Sequence, residues 1–171
     1  ALYGGTVSML AVNFAKLGIE TTFVDGRSAD AFAAAMRPRT RAVFAESLGN
    51  PSLAVLDITA VADVAHAHGV PLVVDNTVPS PFLCNPIAFG ADIVVHSATK
   101  YLGGHGTTLA GVLVESGRFP WDNGKFPGMT EPSKGYHGVR FYETFGDFGF
   151  TMRARMETLR VYGAALAPTS A

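Results

Sequence analysis

Asp75 and Lys100 each stand where a short apolar run gives way to polar sequence, in Val73-Val74-Asp75-Asn76-Thr77 and Val94-Val95-His96-Ser97-Ala98-Thr99-Lys100. A carboxylate just beyond a buried strand is costly to desolvate unless a cation or several hydrogen-bond donors meet it. A protonated pyridine nitrogen is such a cation; the alternative is that Asp75 only caps the next turn. Lys100 is either an ordinary solvated amine or a nucleophile, its free pKa of about 10.4 depressed by burial or nearby cations. The hydroxyls of Ser97 and Thr99 are neutral donors suited to a phosphate. Gly103-Gly104-His105-Gly106-Thr107 lets backbone approach a ligand closely, although such a stretch is also what a plain turn requires. His96 and His105 lack a His-x-x-x-His partner or a carboxylate at ligand spacing, which argues against zinc. No Gly-x-Gly-x-x-Gly follows the first strand, which argues against a dinucleotide fold.

The elements that must position these groups alternate in type. Val7, Leu10, Ala11, Phe14 and Leu17 recur at helical spacing and predict a helix over residues 6–17, stopped at Gly18. A strand is expected over 21–24, an alanine-rich helix over 30–36 and a strand over 41–44. Residues 57–68 form the next helix, with Ile58, Val61, Val64 and Ala65 on one face, Asp57 as N-cap and Gly69 as terminator. The runs 71–75 and 92–96 are too short for helices and are expected as fully buried parallel strands. Residues 111–115 form a third such run. The Gly-, Pro- and aromatic-rich stretch 116–141 is expected as a long irregular loop. A helix is expected over 151–163, with Met152, Met156 and Leu159 inward and its arginines outward. The fold class is therefore α/β, with a mostly parallel sheet flanked by helices, and ligands belong at the carboxyl ends of its strands.

The composition is consistent with one domain around a sizeable core: of 171 residues, 48% are hydrophobic and 16% charged. A net charge of -1 without a block of one sign excludes a nucleic-acid arm or a polybasic membrane anchor. No apolar run approaches the roughly 20 residues of a membrane span. Cys84 is the single cysteine; this excludes an internal disulfide framework, fits a reducing, cytoplasmic setting, and points to an inert thiol before a reactive one. The first residues, Ala-Leu-Tyr-Gly-Gly, and the last, Ala-Pro-Thr-Ser-Ala, suggest an internal fragment.

Several ordered motifs, Leu2-Tyr3-Gly4-Gly5-Thr6, Glu46 with Asn50-Pro51, Val74-Asp75-Asn76-Thr77 and the run from Gly90 to His105, together resemble the Cys/Met-metabolism family of pyridoxal-phosphate enzymes. The resemblance implies the large cofactor-binding domain of the aminotransferase-like fold type I. It implies that residues 1–171 are the central part of that domain, ending near the start of the helix that leads to a C-terminal domain. By the same resemblance, Lys100 carries pyridoxal 5'-phosphate covalently, Asp75 pairs with its ring nitrogen, and Ser97 and Thr99 bind its phosphate. Tyr3 would stack on the ring and help deprotonate the incoming amino group. Asn50 would lie near the ring hydroxyl and the substrate carboxylate. Catalytic roles fall to Lys100, Tyr3 and Asp75.

Within the family, the segments Gly117 to Trp121, Gly124 to Pro127, Thr130-Glu131-Pro132, Tyr136-His137-Gly138 and Glu143 to Gly146 resemble the O-acetylhomoserine sulfhydrylases. The implied reaction joins O-acetyl-L-homoserine and sulfide to give L-homocysteine and acetate in a homo-oligomer, usually a tetramer, of methionine biosynthesis. Cystathionine synthesis or γ-elimination is the enzymatic alternative, and a non-catalytic truncated module is the alternative of another class. Relatives place a phosphate loop and a substrate-binding arginine in segments that these residues do not contain. The 171 residues alone are therefore expected to bind cofactor weakly and not to turn over.

Overall fold

The computed structural model describes residues 2–163, 166 and 167; the terminal residues Ala1 and 168–171, which suggested a fragment, lie outside them. Four strands form one sheet in the order β1 (Val43–Glu46), β2 (Leu72–Asp75), β3 (Ile93–Ser97) and β4 (Gly111–Glu115). β1, β2 and β3 are parallel, with Glu46 opposite Asp75 and Asp75 opposite Val95. β4 is antiparallel to β3, with Ser97 opposite Gly111. The physical reason is the connection: residues 98–110 hold no helix, and a parallel return would need a crossover, usually helical.

Alternation along the strands divides the sheet into two faces. Val43, Ala45, Leu72, Val74 and Val94 join Ile58, Val61, Ala62 and Ala65 of the helix Ile58–Ala67 and Phe32 of the helix Ala29–Ala35 in one core. Burying Val61 and Ile58 contributes roughly 1.5–3 kcal/mol per side chain. The helix starts where Asp57 accepts the Ala60 N–H at 3.0 Å and ends at Gly69, whose φ of 63° suits glycine. On the other face Ile93 packs with Phe119, Trp121, Met129 and Phe141. Helices thus cover one face, and an aromatic layer with its own helices covers the other.

Several expectations change. Residues 21–24 form no strand and Phe23 is 48% exposed; an extended segment becomes a strand only beside a neighbour, and none pairs with it among the described residues. β4 is a strand, but Val112, Leu113 and Val114 are about 40% exposed, so it is neither parallel nor buried as its apolar run suggested. The helical path from Gly4 through Met9–Asn13 to Lys16 is present, yet Val7 and Leu17 on its apolar face remain exposed.

The stretch 116–141 is largely irregular in backbone, as expected, but it is packed rather than loose. It contains the helix Pro127–Thr130 and a Ser133–Val139 bridge, and Phe119, Trp121 and Phe126 meet edge to face. Trp121 also stacks on Phe150 at 5.1 Å. Glu115 clamps this layer to the sheet: one oxygen accepts the Trp121 indole N–H, the other the Thr151 N–H and hydroxyl. The last helical path, from Gly149 to Tyr162, turns Met156 inward as expected. Arg153 is not wholly outward: it pairs with Glu157 at 2.8 Å and lies 6.0 Å from the centre of the Phe141 ring.

Candidate active site

Alternation places Glu46, Asp75 and Ser97 on one face, at the carboxyl ends of three parallel strands and opposite the helix Ile58–Ala67. The polar loops that follow β1, β2 and β3 carry Asn50, Thr77 and Lys100 above them. Six residues dispersed along the chain therefore converge on one sheet end because each directly follows, or ends, a strand.

Asp75 is half-buried, and its two oxygens differ. Oδ1 accepts the Thr77 N–H at 2.9 Å and the Thr77 hydroxyl at 2.5 Å, so Asp75 does cap its own turn. Oδ2 accepts no hydrogen bond among the described residues and remains available to a cation. The turn and cation readings of this residue are thus compatible, one on each oxygen.

Ser97 donates its N–H to Thr77 Oγ1 at 2.8 Å, while its own hydroxyl has no partner among the described residues. Thr99 differs. Its hydroxyl donates to the Ala110 carbonyl at 3.3 Å and accepts the Ala110 N–H at 3.0 Å, so its hydrogen is already committed to closing the β3–β4 connection. The Lys100 side chain is exposed and makes no ion pair or hydrogen bond among the described residues. Its backbone is fixed: Lys100 N–H donates to Ser97 O at 3.1 Å, and Gly104 N–H to Lys100 O at 2.8 Å. Gly103 closes this turn onto Ala98 O at 2.8 Å, and a Cβ there would lie 2.7 Å from the same oxygen.

Tyr3 and Asn50 come to the site through a residue whose role the sequence motifs did not reveal. Glu46 Oε1 accepts the Tyr3 N–H at 2.6 Å, and its Oε2 accepts the Asn50 N–H at 2.9 Å. One carboxylate thus ties a distant segment, at Tyr3, and the loop that follows β1, at Asn50, to the end of that strand. The Tyr3 ring lies over Gly5, where a Cβ would come within 2.6 Å of it. Tyr3 and Asn50 side chains are exposed and make no hydrogen bonds among the described residues.

Asn76 is the second missed residue. It is fully buried; its Oδ1 accepts the Ser47 hydroxyl at 2.7 Å and its Nδ2 donates to Ser80 O and Cys84 O at 3.1 and 2.8 Å. It anchors the loop after β2 and, through Ser47, the loop after β1. An amide directly after a strand-end carboxylate was the only local signal. Burial pushes the half-buried Cys84 thiol above its usual pKa, which keeps it protonated. His105 bonds to Gly103 O, and His96 Nδ1 is buried without a partner among the described residues.

The free donor and acceptor set suits pyridoxal phosphate: an amine for its aldehyde, a carboxylate oxygen for its ring nitrogen, a serine hydroxyl for its phosphate and an aromatic ring for its face. Among known proteins, the O-acetyl-L-homoserine sulfhydrylase of Leptospira meyeri is 51% identical over 100% of this chain and 40% of its own length. The corresponding enzyme 1 of Thermus thermophilus is 45% identical over 99% of the chain and 41% of its own. The chain thus spans about 40% of the length of these curated relatives. A crystal structure of a Campylobacter jejuni protein containing a pyridoxyl-lysine monophosphate superimposes with a TM-score of 0.93 at 34% identity, over 99% of this chain and 42% of that one. The O-acetylhomoserine sulfhydrylase of Wolinella succinogenes superimposes with a TM-score of 0.83, also at 34% identity, over 99% and 45%. The sequence profile of the Cys/Met metabolism PLP-dependent enzymes matches residues 1–171 throughout, and with the strand-end constellation in place the chain belongs to that family.

Proposed function

We propose that this chain is the central part of the cofactor-binding domain of an enzyme that makes L-homocysteine and acetate from O-acetyl-L-homoserine and sulfide, with pyridoxal 5'-phosphate held on Lys100. The observation that carries the reading is the unengaged set at the strand ends, namely Asp75 Oδ2, the Ser97 hydroxyl and the Lys100 amine. The bound group would supply an electron sink for negative charge at the substrate α carbon. Asp75 would hold a proton on the ring nitrogen through Oδ2, and Ser97 would orient the phosphate. Lys100, the residue that would hold the group, would also move protons at the substrate as a general base. Tyr3, positioned by Glu46, would cover the ring face and take a proton from the incoming amine, and Asn50 would meet the ring hydroxyl and substrate carboxylate. Thr99 would contribute to the phosphate only if its hydroxyl leaves Ala110. The whole enzyme would be a cytoplasmic homo-oligomer, a tetramer of site-sharing dimers.

Two measurements test this reading. Incubation of the chain with pyridoxal phosphate and borohydride should add a pyridoxyl group at Lys100, read by peptide mass, and Lys100→Ala should abolish it. Label spread over surface lysines would reject the site. In the whole enzyme, O-acetylhomoserine with sulfide should yield homocysteine and Asp75→Ala should abolish turnover. Cystathionine formed from cysteine, with no sulfide reaction, would instead favour the synthase alternative. The chain alone should bind cofactor weakly and show no turnover.

A further inference from the structure

We propose that Thr77 is a positioning residue whose hydroxyl locks the Asp75 carboxylate and couples it to the turn that starts at Ser97; its consequence for the cofactor rests on the function proposed above. A threonine hydroxyl has one hydrogen to donate and lone pairs to accept. Here the hydrogen goes to Asp75 Oδ1 at 2.5 Å, a short contact to a carboxyl oxygen, and a lone pair takes the Ser97 N–H at 2.8 Å.

The Ser97 N–H needs that acceptor because β2 has ended. Asn76 N–H still donates to Val95 O at 2.9 Å, so Val95 and Ser97 turn their backbone groups towards β2. By the level of Ser97, however, the chain has left the ladder, and the Thr77 hydroxyl replaces the missing strand carbonyl. The same hydroxyl and the Thr77 N–H both hold Oδ1. Rotation of the carboxylate is thereby restrained, and Oδ2 stays directed away from the turn. One hydroxyl sets the place of the ring-nitrogen partner relative to the turn that bears Ser97 and Lys100.

Thr77→Val keeps the branched shape and removes both bonds, whereas Thr77→Ser keeps both. In the cofactor-free chain, the Ser97 amide should exchange hydrogen about tenfold faster in T77V, while T77S resembles the parent and the Val74 amide is unchanged. With pyridoxal phosphate added, T77V should bind about tenfold more weakly and shift the visible absorption maximum, with T77S rescuing both. Unchanged Ser97 exchange in T77V would overturn the link. Faster exchange with parental affinity and absorption would overturn the positioning role, leaving only closure of the sheet end. If the unmutated chain takes up no cofactor even at saturating pyridoxal phosphate, the attachment at Lys100 proposed above fails, and the Ser97 exchange still decides the link.

Discussion

Asn76→Asp changes one buried atom group without changing shape, and so isolates the hydrogen bonds that hold the loops of the site. The Asn76 Nδ2 donates to Ser80 O and Cys84 O at 3.1 and 2.8 Å; aspartate presents an acceptor to both carbonyls. Two lost bonds cost about 2 kcal/mol at about 1 kcal/mol each. A charge facing carbonyls in a fully buried position raises the total to about 3–5 kcal/mol, against typical stabilities of about 5–15 kcal/mol. The Ser47 hydroxyl can still donate to the new carboxylate, which limits the loss. Urea titration followed by far-UV dichroism and Trp121 fluorescence would measure it. The sign of the pH dependence follows from burial, which disfavours the charged form and raises the folded-state pKa of the introduced carboxyl above its unfolded value. The deficit is therefore largest above the folded pKa and shrinks as pH falls through it towards the unfolded value, when one donor is restored. A variant within about 1 kcal/mol of the parent at pH 8, or one whose deficit grows on acidification, would refute the anchoring role.

Glu115→Gln converts an acceptor of three hydrogen bonds into a group that serves the Trp121 indole and Thr151 less well; melting should fall by the equivalent of about 1–3 kcal/mol with a change in Trp121 emission. Gly103→Ala sets a Cβ 2.7 Å from Ala98 O and should displace the Lys100 turn, lowering borohydride-trapped label at Lys100 while thermal stability changes by about 1–3 kcal/mol. The raised Cys84 pKa leaves less thiolate at neutral pH, so its reaction with a disulfide reagent at pH 7 should be slower than that of a free cysteine and should accelerate up to higher pH than the free thiol; equal rates at pH 7 would contradict it.

Local sequence signals were legible where the interaction partner is also local. Asp57 caps the helix Ile58–Ala67 and Gly69 ends it because capping involves residues within a turn of one another. The parallel strands β2 and β3 were legible from their continuous apolar runs, since both faces are covered. The same reasoning misled for β4, whose apolar residues lie exposed, and for residues 21–24: hydropathy describes what a segment can bury, not whether a neighbour is present. The aromatics from Phe119 to Phe150 follow no period, so nothing in the chain order indicated that Trp121 would stack on Phe150 or that Glu115 would join them.

For Asp75 and Lys100, the sequence by itself determined their places at or just beyond the ends of apolar strands, because a strand covered on both faces shows as a continuous apolar run and the chain emerges where that run gives way to polar residues. Their family motif was legible in the same way, as ordered neighbours along the chain. Only the tertiary structure decided that Asp75 spends one oxygen on Thr77 and keeps the other free, that Thr99 is committed to Ala110, and that Glu46 gathers Tyr3 and Asn50. The Asp75–Thr77 turn is local and was legible in the sequence, but which oxygen stays free, the Thr99–Ala110 closure and the reach of Glu46 to Tyr3 depend on register and on distances between separate segments, which residue order alone does not specify.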